Sequence, residues 1–493
     1  MKQMKTARVL SVLMALILLV QTMGASFSAF AVVNTVTGDV IGNKDFTITN
    51  PYADVDWDTW YQYKGTTHVH THTSDGSEDI NEMIEKYYEL GYEVMAITDH
   101  GTVNYGWTKS PSRHSMFSYQ WFVHSDPTGI TQARYDEITT GVGRENGIGM
   151  IEVPLGIELN GASTDKVHIN SFFADAGDGD MELDSTWPSS AIAKVQKVTD
   201  ESNGAVEGVC HINHVGEWSG GNGDKLGTYT PDFVNRFAQI FRDYSVLVGM
   251  ELVNTADGRT RNDRYLYDEV LKVLAPEGKN VHGFCSDDAH EFSDCNRNAN
   301  YFIMPEQTWQ NVRTSMKTGA FFACSKFSKT PDELGDGFEG TGDYPRIQRI
   351  TVDQEKDQII FECTKADKIK LVADGEVIEY YKADEDGDTI TFDLNAYENK
   401  INSYVRVYLT GPGGICYVQP FLLTSVSTST CSVKFNLPGE NATFVLKDSA
   451  GNIVQPVNSD YTYVLTPGTY KYTSTRFGFV DAVDVPFTLT QAQ

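Results

Sequence analysis

The sequence contains few histidines, basic residues, cysteines and long apolar runs, and each of these shortages limits the functions that the chain can have. All 11 histidines lie between His68 and His290, and no residue after His290 is a histidine. Because imidazole is a common ligand of divalent transition metals, metal chemistry is expected only in that part of the chain. Lysine and arginine together number 39 against 67 aspartates and glutamates, a formal net charge of −28. This balance disfavours broad binding of nucleic acid by the surface.

Cysteine is too sparse for a disulfide framework. The seven cysteines are far apart, odd in number and without a C-x-x-C pair. Such spacing does not indicate a disulfide-rich fold. A single bridge, for example from Cys285 or Cys295 to a neighbour, stays open as an alternative in an oxidising compartment. The cysteines are Cys210, Cys285, Cys295, Cys324, Cys363, Cys416 and Cys431.

Long apolar runs are missing except at the N-terminus. Three cations, Lys2, Lys5 and Arg8, precede the apolar residues 9–20, and Ala29-Phe30-Ala31 follows. This is the order of a secretory signal, and the apolar run is short for a membrane span of about 20 residues. The sequence therefore predicts a signal peptide at residues 1–31, a secreted protein and no membrane span after cleavage. An uncleaved N-terminal anchor is the alternative.

Length and pattern together predict several domains. The 493 residues exceed one ordinary domain of about 100 to 200 residues. In residues 52–327 short apolar runs alternate with amphipathic stretches, which predicts an α/β region with a parallel sheet or barrel. The glycines of residues 331–344 indicate a linker, placed at residues 328–345.

The remainder has the alternating pattern of β structure. Residues 346–424 contain short strands separated by turn signals such as Asp374-Gly375, which predicts an immunoglobulin-like antiparallel sandwich. Residues 431–493 are predicted to form a second, small β module. Since residues 345–493 hold no histidine, we expect them to be dispensable for the chemistry. Association with a cell wall or cell surface is the role left open for them.

Several short segments combine histidine and carboxylate at the spacing of metal ligands. Residues i and i+2 of a strand point to the same side, so His68 and His70 can reach one ion. One such pair is weak evidence, because H-x-H pairs also occur by chance. The segments that join it, most of them at the end of an apolar run, contain Asp75, His100, Glu158, His168, the run His211-Ile212-Asn213-His214, and Asp288-Ala289-His290. In this order they indicate a multi-metal hydrolase site at the carboxyl ends of strands.

These segments resemble the polymerase and histidinol phosphatase superfamily, usually called PHP. The family opens with H-x-H-T-x-x-S-D-G after a strand, and residues 68–76, H-V-H-T-H-T-S-D-G, fit at every fixed place. Its T-D-H motif is similar to residues 98–100 and its D-x-H motif to residues 288–290. The N-H-P-G type motif is placed at residues 213–216, where valine stands instead of proline, with His211 as the competing assignment for His214. The resemblance covers residues 52–322 and implies a distorted (β/α)7 barrel.

The resemblance also implies how the ligands divide among up to three metal ions. The first ion would be held by His68, His70, Glu158 and Asp288, the second by Glu158 as a bridge with His168 and His214, and the third by Asp75, His100 and His290. Imidazole and carboxylate ligands suit Zn, Mn or Fe. A bridged pair of ions lowers the pKa of bound water, and the resulting hydroxide is expected to attack phosphorus. The sequence thus predicts a secreted, metal-dependent phosphoric ester hydrolase in which these nine side chains carry the catalysis of a small phosphate mono- or diester.

Other charged side chains are candidates for contact with the substrate. Arg259 and Arg261 are the predicted phosphate contacts, since guanidinium binds phosphate oxygens bidentately, and Arg113 and Arg144 are further candidates. Glu251, after an apolar run, is predicted to lie beside the metal ligands or the substrate, with a plain charge at a strand end as the alternative. Four histidines are expected to be solvated or to pack without binding metal: His72, His114, His124 and His282.

Two other functions fit the same motifs. The chain also resembles the branch of this superfamily that is similar to carbaryl hydrolase. Hydrolysis of a non-phosphorus ester or carbamate bond is therefore one alternative. A non-catalytic, metal-binding protein of the cell surface is the other. Nine candidate ligands count against the latter, because a structural ion needs only about four. Three clustered cations favour the phosphoryl group over an uncharged ester.

Overall fold

The structure, a computed structural model of the 493-residue chain, describes residues 32–36, 42–109, 127–159, 167–178, 189–218, 229–429, 431–437, 441–466, 468–476 and 481–489. The predicted signal peptide, Arg113, His114 and His124 lie outside these residues. The chain divides into two compact units. The larger is Phe46–Thr424, and the smaller combines Met1–Asp45 with Ser425–Gln493. Within the described ranges no helix is long and apolar enough to cross a membrane.

The strands are numbered in chain order over the described residues. They are β1 Val32–Val36, β2 Gly42–Thr49, β3 Tyr61–Thr66, β4 Val94–Met95, β5 Ile151–Glu152, β6 Ile157–Leu159, β7 Ile169–Phe172, β8 Val209–Ile212, β9 Leu247–Asn254, β10 His282–Ser286, β11 Asn298–Met304, β12 Phe321–Ser325, β13 Arg346–Asp353, β14 Gln358–Thr364, β15 Lys368–Ala373, β16 Glu376–Lys382, β17 Asp388–Asp393, β18 Tyr404–Gly411, β19 Gly414–Val418, β20 Phe421–Ser429, β21 Cys431–Asn436, β22 Thr443–Lys447, β23 Ile453–Val454, β24 Thr462–Leu465, β25 Gly468–Thr475 and β26 Ala482–Leu489.

The helices lie almost wholly between the strands of the first half. The α-helices are α1 Ile80–Glu89, α2 Gln132–Thr139, α3 Ser189–Glu201, α4 Val215–Trp218, α5 Pro231–Asp243, α6 Asp263–Leu274 and α7 Trp309–Thr318. Short 3-10 helices span Ala275–Glu277, Phe292–Asp294 and Leu394–Tyr397.

Helix α5 shows why such segments fold and which face they bury. Thr230 caps it, since its hydroxyl accepts a hydrogen bond from Phe233 N, and Pro231 occupies the first helical position. Val234, Phe237 and Phe241 are buried at helical spacing. They belong to the apolar core that also contains parts of β8 and β9, so burial of one face fixes the helix against the sheet.

Two sheets in the larger unit carry the strands that end at the candidate site. In the first, with the order β10-β9-β8-β7-β6, strands β8 to β10 run parallel whereas β6-β7 and β7-β8 are antiparallel pairs. In the second, β3 pairs in parallel with β4, and β4 with β5. Single parallel bridges, Val69 with Ala289 and His100 with Glu158, connect the two sheets. The larger unit is therefore mixed α/β, and continuous parallel pairing around a (β/α)7 barrel is not shown.

The strands after the predicted linker do not form a separate domain. Strand β12 pairs antiparallel with β19, and β15, β16, β18 and β19 extend the same sheet. The Gln419 side chain accepts from Gly283 N at 2.7 Å and donates to Gly283 O at 2.9 Å. Arg406 forms a buried pair with Asp268 of α6. The predicted division into residues 52–327 and 346–424 is corrected here: pairing along β12 and burial of these polar groups join both parts in one unit.

The smaller unit is antiparallel β structure. Its sheets have the strand orders β1-β21-β24 and β23-β22-β25-β26. Phe435, Phe444, Tyr463 and Tyr472 form the centre of its core, as expected for a small β module with alternating inward residues. Strand β1, for which the sequence pattern gave no indication, pairs with β21 in this unit.

Candidate metal centre

The nine predicted ligands converge at neighbouring strand ends of the larger unit. His68 and His70 follow β3, His100 follows β4, Glu158 lies within β6, His168 precedes β7, His214 follows β8, and Asp288 and His290 follow β10. Asp75 lies in the turn between β3 and α1. Because the two sheets are bridged at His100 and at Ala289, these ends lie together and bring segments more than 200 residues apart into one cluster.

The first group of side chains consists of His68, His70, Glu158 and Asp288, all buried. His68 Nε2 lies 3.2 Å from Glu158 Oε2 and 3.1 Å from Asp288 Oδ1. His70 Nε2 lies 3.1 Å and 3.0 Å from the same two oxygens. The two imidazole Nε2 atoms are 3.1 Å apart. These four potential ligand atoms therefore lie close enough together to bind a single ion.

The second group shares Glu158 with the first. His100 Nδ1 lies 3.2 Å from Glu158 Oε2, and His168 Nδ1 lies 2.9 Å from Glu158 Oε1. His214 Nε2 is 3.2 Å from the same Oε1. Glu158 therefore presents one oxygen to His68, His70 and His100 and the other to His168 and His214, as a carboxylate that bridges two ions would.

The third group surrounds Asp75. His70 Nδ1 lies 3.4 Å from Asp75 Oδ1, and His100 Nε2 and His290 Nε2 lie 3.6 Å and 3.3 Å from Asp75 Oδ2. The side chain of His290 is 35% exposed, whereas His70 is fully buried. The cluster is therefore open to solvent on the side of His290.

Two buried oxygens of the cluster lack ordinary partners. Glu158 Oε2 and Asp288 Oδ1 make no hydrogen bond of acceptable geometry with the described residues, although both lie near imidazole nitrogens. A buried carboxylate without compensation is costly. Bound divalent cations would supply the missing charge, and a set of imidazole and carboxylate donors suits Zn, Mn or Fe. The residues present therefore fit the metal ions that the motifs imply.

The pKa values of the cluster show that its carboxylates stabilise positive charge. Burial disfavours the protonated form of His68, yet Asp288 and Glu158 outweigh it and hold the pKa of His68 well above its usual 6.5. Burial likewise opposes the charged form of Glu158, but His68 and His100 keep the pKa of that carboxyl well below its usual range. The carboxylates stay ionised, so metal binding is expected to displace protons from the imidazoles.

Glu251 contacts His68 at Nδ1, the ring nitrogen opposite the one that faces Glu158 and Asp288. Glu251 Oε1 lies 2.8 Å from His68 Nδ1, and Oε2 accepts hydrogen bonds from His214 N and Asn254 Nδ2, each at 2.9 Å. Glu251 is 1% exposed, and both oxygens are engaged. Of the predicted positions of Glu251, the one beside the metal-ligand candidates fits this geometry: the carboxylate holds His68 in orientation, as the outer partners of metal-binding histidines generally do.

Asp99 fixes the loop that follows His70. Its Oδ1 accepts hydrogen bonds from Thr71 N and Ser74 Oγ, both at 2.7 Å, and its Oδ2 accepts from Thr71 Oγ1 at 2.8 Å. Gly76 is required in the same loop, because a Cβ there would lie 2.7 Å from the backbone carbon of His70. Asp99 is not among the nine predicted ligands, and its position in the T-D-H motif was the sequence signal for its role.

Amide side chains complete the support and were also missed. Asn213 Nδ2 donates to Glu158 Oε1 and to Asn170 Oδ1, both at 2.9 Å. Asn170 Nδ2 in turn donates to Thr67 O at 3.0 Å, next to His68. The position of Asn213 beside His214 in the motif was the signal. Asn170 shows none in the sequence, because its partner lies 103 residues away.

Two ligands have left-handed backbone conformations. His214 has φ 25° and Asp288 has φ 47°. A non-glycine residue in this region costs on the order of 1–3 kcal/mol and persists where the surrounding structure fixes it, often at functional sites. The two strained residues directly precede α4 and follow β10, so the strain is concentrated at the cluster.

Among the described residues, three other histidines belong to none of the three groups. His211 stacks on Phe284, with ring centroids 4.5 Å apart, and burial lowers the pKa of His211 to about 4. His282 packs in β10, where its Nε2 donates to Lys317 O at 3.2 Å. His72 bonds through Nε2 to Ser77 O. The geometry thus places His214, and not His211, in contact with Glu158.

The predicted phosphate-binding arginines have different surroundings. Arg259 is 70% exposed and pairs with Glu217, whose Oε2 lies 3.5 Å from His214 Nδ1. Arg261 Nη1 lies 3.8 Å from Asp336 Oδ2. Arg144 donates from Nη2 to Tyr88 O and Tyr92 O, at 2.5 Å and 2.6 Å. Arg144 therefore stabilises the end of α1. Arg259 contacts Glu217, and Glu217 in turn contacts His214 of the cluster.

Comparison with known proteins agrees with the motif resemblance for part of the chain. Residues 66–176 match the family model of the PHP domain. This segment contains His68, His70, Asp75, His100, Glu158 and His168. The resemblance drawn from the motifs is thus confirmed for these residues. No curated protein matches the sequence.

Several solved structures are similar to the chain. One is a two-domain protein from Bacteroides vulgatus that contains a predicted PHP-like metal-dependent phosphoesterase, with 13% identity over 84% of this chain and 96% of that chain and a TM-score of 0.37. Another is a lesion-specific endonuclease from Pyrococcus furiosus, with 14% identity over 52% and 56% of the two chains and a TM-score of 0.28. An amidohydrolase from Chromobacterium violaceum has 12% identity over 46% and 87% and a TM-score of 0.26.

Proposed function

We propose that the chain is a phosphoesterase that hydrolyses a small phosphate mono- or diester with two or three divalent ions of Zn, Mn or Fe. The observation that carries the proposal is the division of Glu158 between two sets of imidazoles, one at Oε2 and one at Oε1. The PHP match over residues 66–176 supports the same class of chemistry. Such ions, when bound, activate water and neutralise phosphoryl oxygens.

The chain's own residues would hold the ions and admit the substrate. His68, His70, Glu158 and Asp288 would bind one ion, and Glu158 through its Oε1 with His168 and His214 a second. Asp75, His100 and His290 are the donors for a third. His100 contacts both Glu158 and Asp75, which supports a role for it beside Glu158 in addition to the role in the third group that the motifs implied.

Solvent access at His290 and the positive charge near His214 favour an anionic ester. His290 is partly exposed, so this side can receive a substrate. The Glu217–Arg259 pair beside His214 places a guanidinium that is 70% exposed near the cluster. We propose that Arg259 contacts phosphate, because exposed guanidinium can rotate toward a bidentate acceptor. Arg259→Gln should raise KM for the best phosphate ester, with kcat nearly unchanged; an unchanged KM would contradict this role.

The substrate class is tested by a direct screen. Chain loaded with Mn or Zn is assayed against 4-nitrophenyl phosphate, bis(4-nitrophenyl) phosphate, 4-nitrophenyl acetate and an aryl carbamate. We expect turnover of a phosphate ester, loss of roughly 100-fold or more in His70→Ala, and little change in His72→Gln, a histidine of the same loop outside the three groups. Turnover of the acetate or carbamate alone would instead support a hydrolase of non-phosphorus bonds.

We also propose export, on the N-terminal pattern of cations, apolar run and Ala29-Phe30-Ala31. The mass of the N-terminal peptide of secreted material tests it: cleavage after Ala31 is expected, and an intact N-terminus in a retained protein would contradict it. Association with a cell wall or surface through the smaller unit is part of the same proposal. Washing of whole cells expressing the chain, with and without residues 425–493, tests that part.

We further propose that the two bridged sheets together form a distorted PHP-type barrel. The support is the ring of contacts from β3 and β4 through His100 and Glu158 to β6, along the first sheet to β10, and back through Ala289 and Val69. An experimental structure with bound metal should preserve both bridges. Separation of either edge would contradict the barrel.

A further inference from the structure

A second cavity lies in the larger unit at the junction of α6, the segment after β12 and strands β15, β16 and β18. Its volume is about 570 Å³, within the range of about 300–1,000 Å³ that holds small ligands. The lining contains none of the nine metal-ligand candidates. Four lysines or arginines and four carboxylates line it, so the side chains of the cavity carry no net charge.

The base of the cavity offers a hydrogen-bond donor that the protein does not use. Arg406 binds Asp268 in a bidentate pair, with Nε to Oδ1 at 2.7 Å and Nη2 to Oδ2 at 2.6 Å. Arg406 is 6% exposed, and its Nη1 makes no hydrogen bond to any described residue. A ligand hydroxyl that accepts from this nitrogen would gain a charge-assisted hydrogen bond.

An acceptor accompanies this donor. The Glu333 side chain is 5% exposed, and its Oε2 is engaged by Arg264 at 2.8 Å and by Tyr417 Oη at 2.8 Å. Its Oε1 makes no contact of this kind within the described part of the chain. Among the described residues, Arg406 Nη1 and Glu333 Oε1 thus offer the cavity one donor and one acceptor that bind no protein group, a combination that binds neighbouring hydroxyl groups.

Tyrosine rings form part of the wall. Tyr265, Tyr380 and Tyr408 line the cavity, and Tyr380 is 55% exposed on the edge strand β16. Exposed aromatic rings provide flat apolar surface against which the C–H faces of a sugar ring can pack. An anion is disfavoured, because Arg264 and Arg406 are already neutralised by carboxylates.

We propose that this cavity binds a neutral oligosaccharide, with Arg406 Nη1 and Glu333 Oε1 on neighbouring hydroxyls and Tyr380 against a sugar face. The site does not depend on the metal cluster or on the proposed phosphoesterase activity. A sugar bound here would attach the enzyme to a glycan without occupying its catalytic residues.

Saturation-transfer NMR on the full chain tests the site. The probes are maltotriose, cellotriose, xylotriose and chitotriose, with inorganic phosphate and a neutral tripeptide as comparisons. We expect signal from at least one trisaccharide at millimolar concentration, and calorimetry of that sugar should show binding weakened about 10-fold in Tyr380→Ala. No signal from any trisaccharide, or signal from the tripeptide alone, would overturn the proposal.

Matched variants separate this site from its surroundings. Tyr381→Ala changes the next residue of β16, which does not line the cavity, and should leave affinity within about twofold. Glu158→Gln should also leave sugar binding unchanged. Equal loss in Tyr380→Ala and Tyr381→Ala, with both variants folded by circular dichroism, would overturn the assignment of the cavity. Phosphate ester turnover is measured separately, so failure of either proposal is recognised on its own.

Discussion

At the scale of single residues, Glu158 determines whether the cluster can hold more than one cation. It lies 2.9 to 3.2 Å from the imidazoles of His68, His70, His100, His168 and His214. No other carboxylate of the described cluster contacts as many imidazoles at these distances. Loss of its charge therefore removes the compensation between two neighbouring ion positions.

Glu158→Gln should weaken the binding of the second ion by roughly 100-fold or more, because an amide cannot supply negative charge to two cations. Titration with Zn against a chelator of known affinity measures the change. Glu85→Gln, in a surface pair with Arg134, is the matched control and should bind metal as the unaltered chain does. Equal affinity of Glu158→Gln and the control would contradict the bridging role.

Glu251→Gln should have a smaller effect, about a 10-fold loss of metal affinity. Gln can still accept a hydrogen bond from His68 Nδ1–H, but it lacks the charge that stabilises this tautomer. The same chelator titration, together with Glu251→Ala, measures it. The Ala variant should lose more than the Gln variant, and identical losses would show that Glu251 acts only by filling space.

The sequence was informative about ligands and poor about their supports. The predicted ligands His68 and His70 occupy fixed positions of the family motif, which residues 68–76 match at every fixed position. Glu251 was predicted to lie beside the metal ligands or the substrate, and the strand-end pattern could not choose between them, because it does not reveal that His68 is the partner. Asn170 had no sequence signal at all, since its role depends on contacts with Thr67 and Asn213 that only the fold creates.

At the scale of elements, the strands with continuous apolar runs were predictable and their directions were not. Val94–Met95 and His282–Ser286 lie where apolar runs were expected. The antiparallel direction of Ile169–Phe172 differs from the parallel expectation. Its residues are buried on both faces, so the sequence shows no alternation that could distinguish the two directions.

The contact between His282 of β10 and Lys317 of α7 predicts that the stability of the fold depends on pH. His282 is buried, its Nδ1 has no partner among the described residues, and burial lowers its pKa to about 4 from 6.5. The unfolded chain therefore binds more protons than the folded chain between these values, so stability falls as pH drops from about 6.5 toward 4. At pH 5 this histidine should cost about 2 kcal/mol.

His282→Gln keeps a donor for Lys317 O and does not titrate in this range. Thermal or urea unfolding at pH 7 and pH 5 should show a smaller loss of stability in the variant than in the unaltered chain. His211 contributes a pH dependence of the same sign, since burial lowers its pKa to about 4 as well, and it is present in both proteins. Equal losses in the two proteins would contradict the assignment to His282.

At the scale of the whole molecule, the β strands after residue 345 are part of the unit that carries the metal cluster. Strand pairing of β12 with β19 and the bonds between Gln419 and Gly283 place them beside β10, which leads into Asp288. The linker was read from glycine content, and composition does not reveal that the strands beyond it extend an existing sheet. We therefore expect residues 345–424 to be needed for the folding of this unit, and the prediction of dispensability is kept for residues 425–493.

Truncation should distinguish the two parts of that segment. A chain of residues 46–424 matches the larger compact unit and should fold and bind metal. A chain ending at Gly335 would leave Asp268 buried without Arg406, a loss of about 3–5 kcal/mol, and would expose the edge of β12. It should therefore be unfolded or aggregated by circular dichroism and gel filtration. A folded, metal-binding fragment that ends at Gly335 would restore the original expectation.

Metal stoichiometry tests the central claim, that the cluster is a centre for several ions. The full chain, produced in medium supplemented with Zn and Mn and purified without chelator, is analysed by inductively coupled plasma mass spectrometry. The three groups that share Glu158, His70 and His100 predict at least two transition-metal ions per chain, and fewer in Glu158→Gln. One ion or none in the unaltered, folded chain would contradict the account.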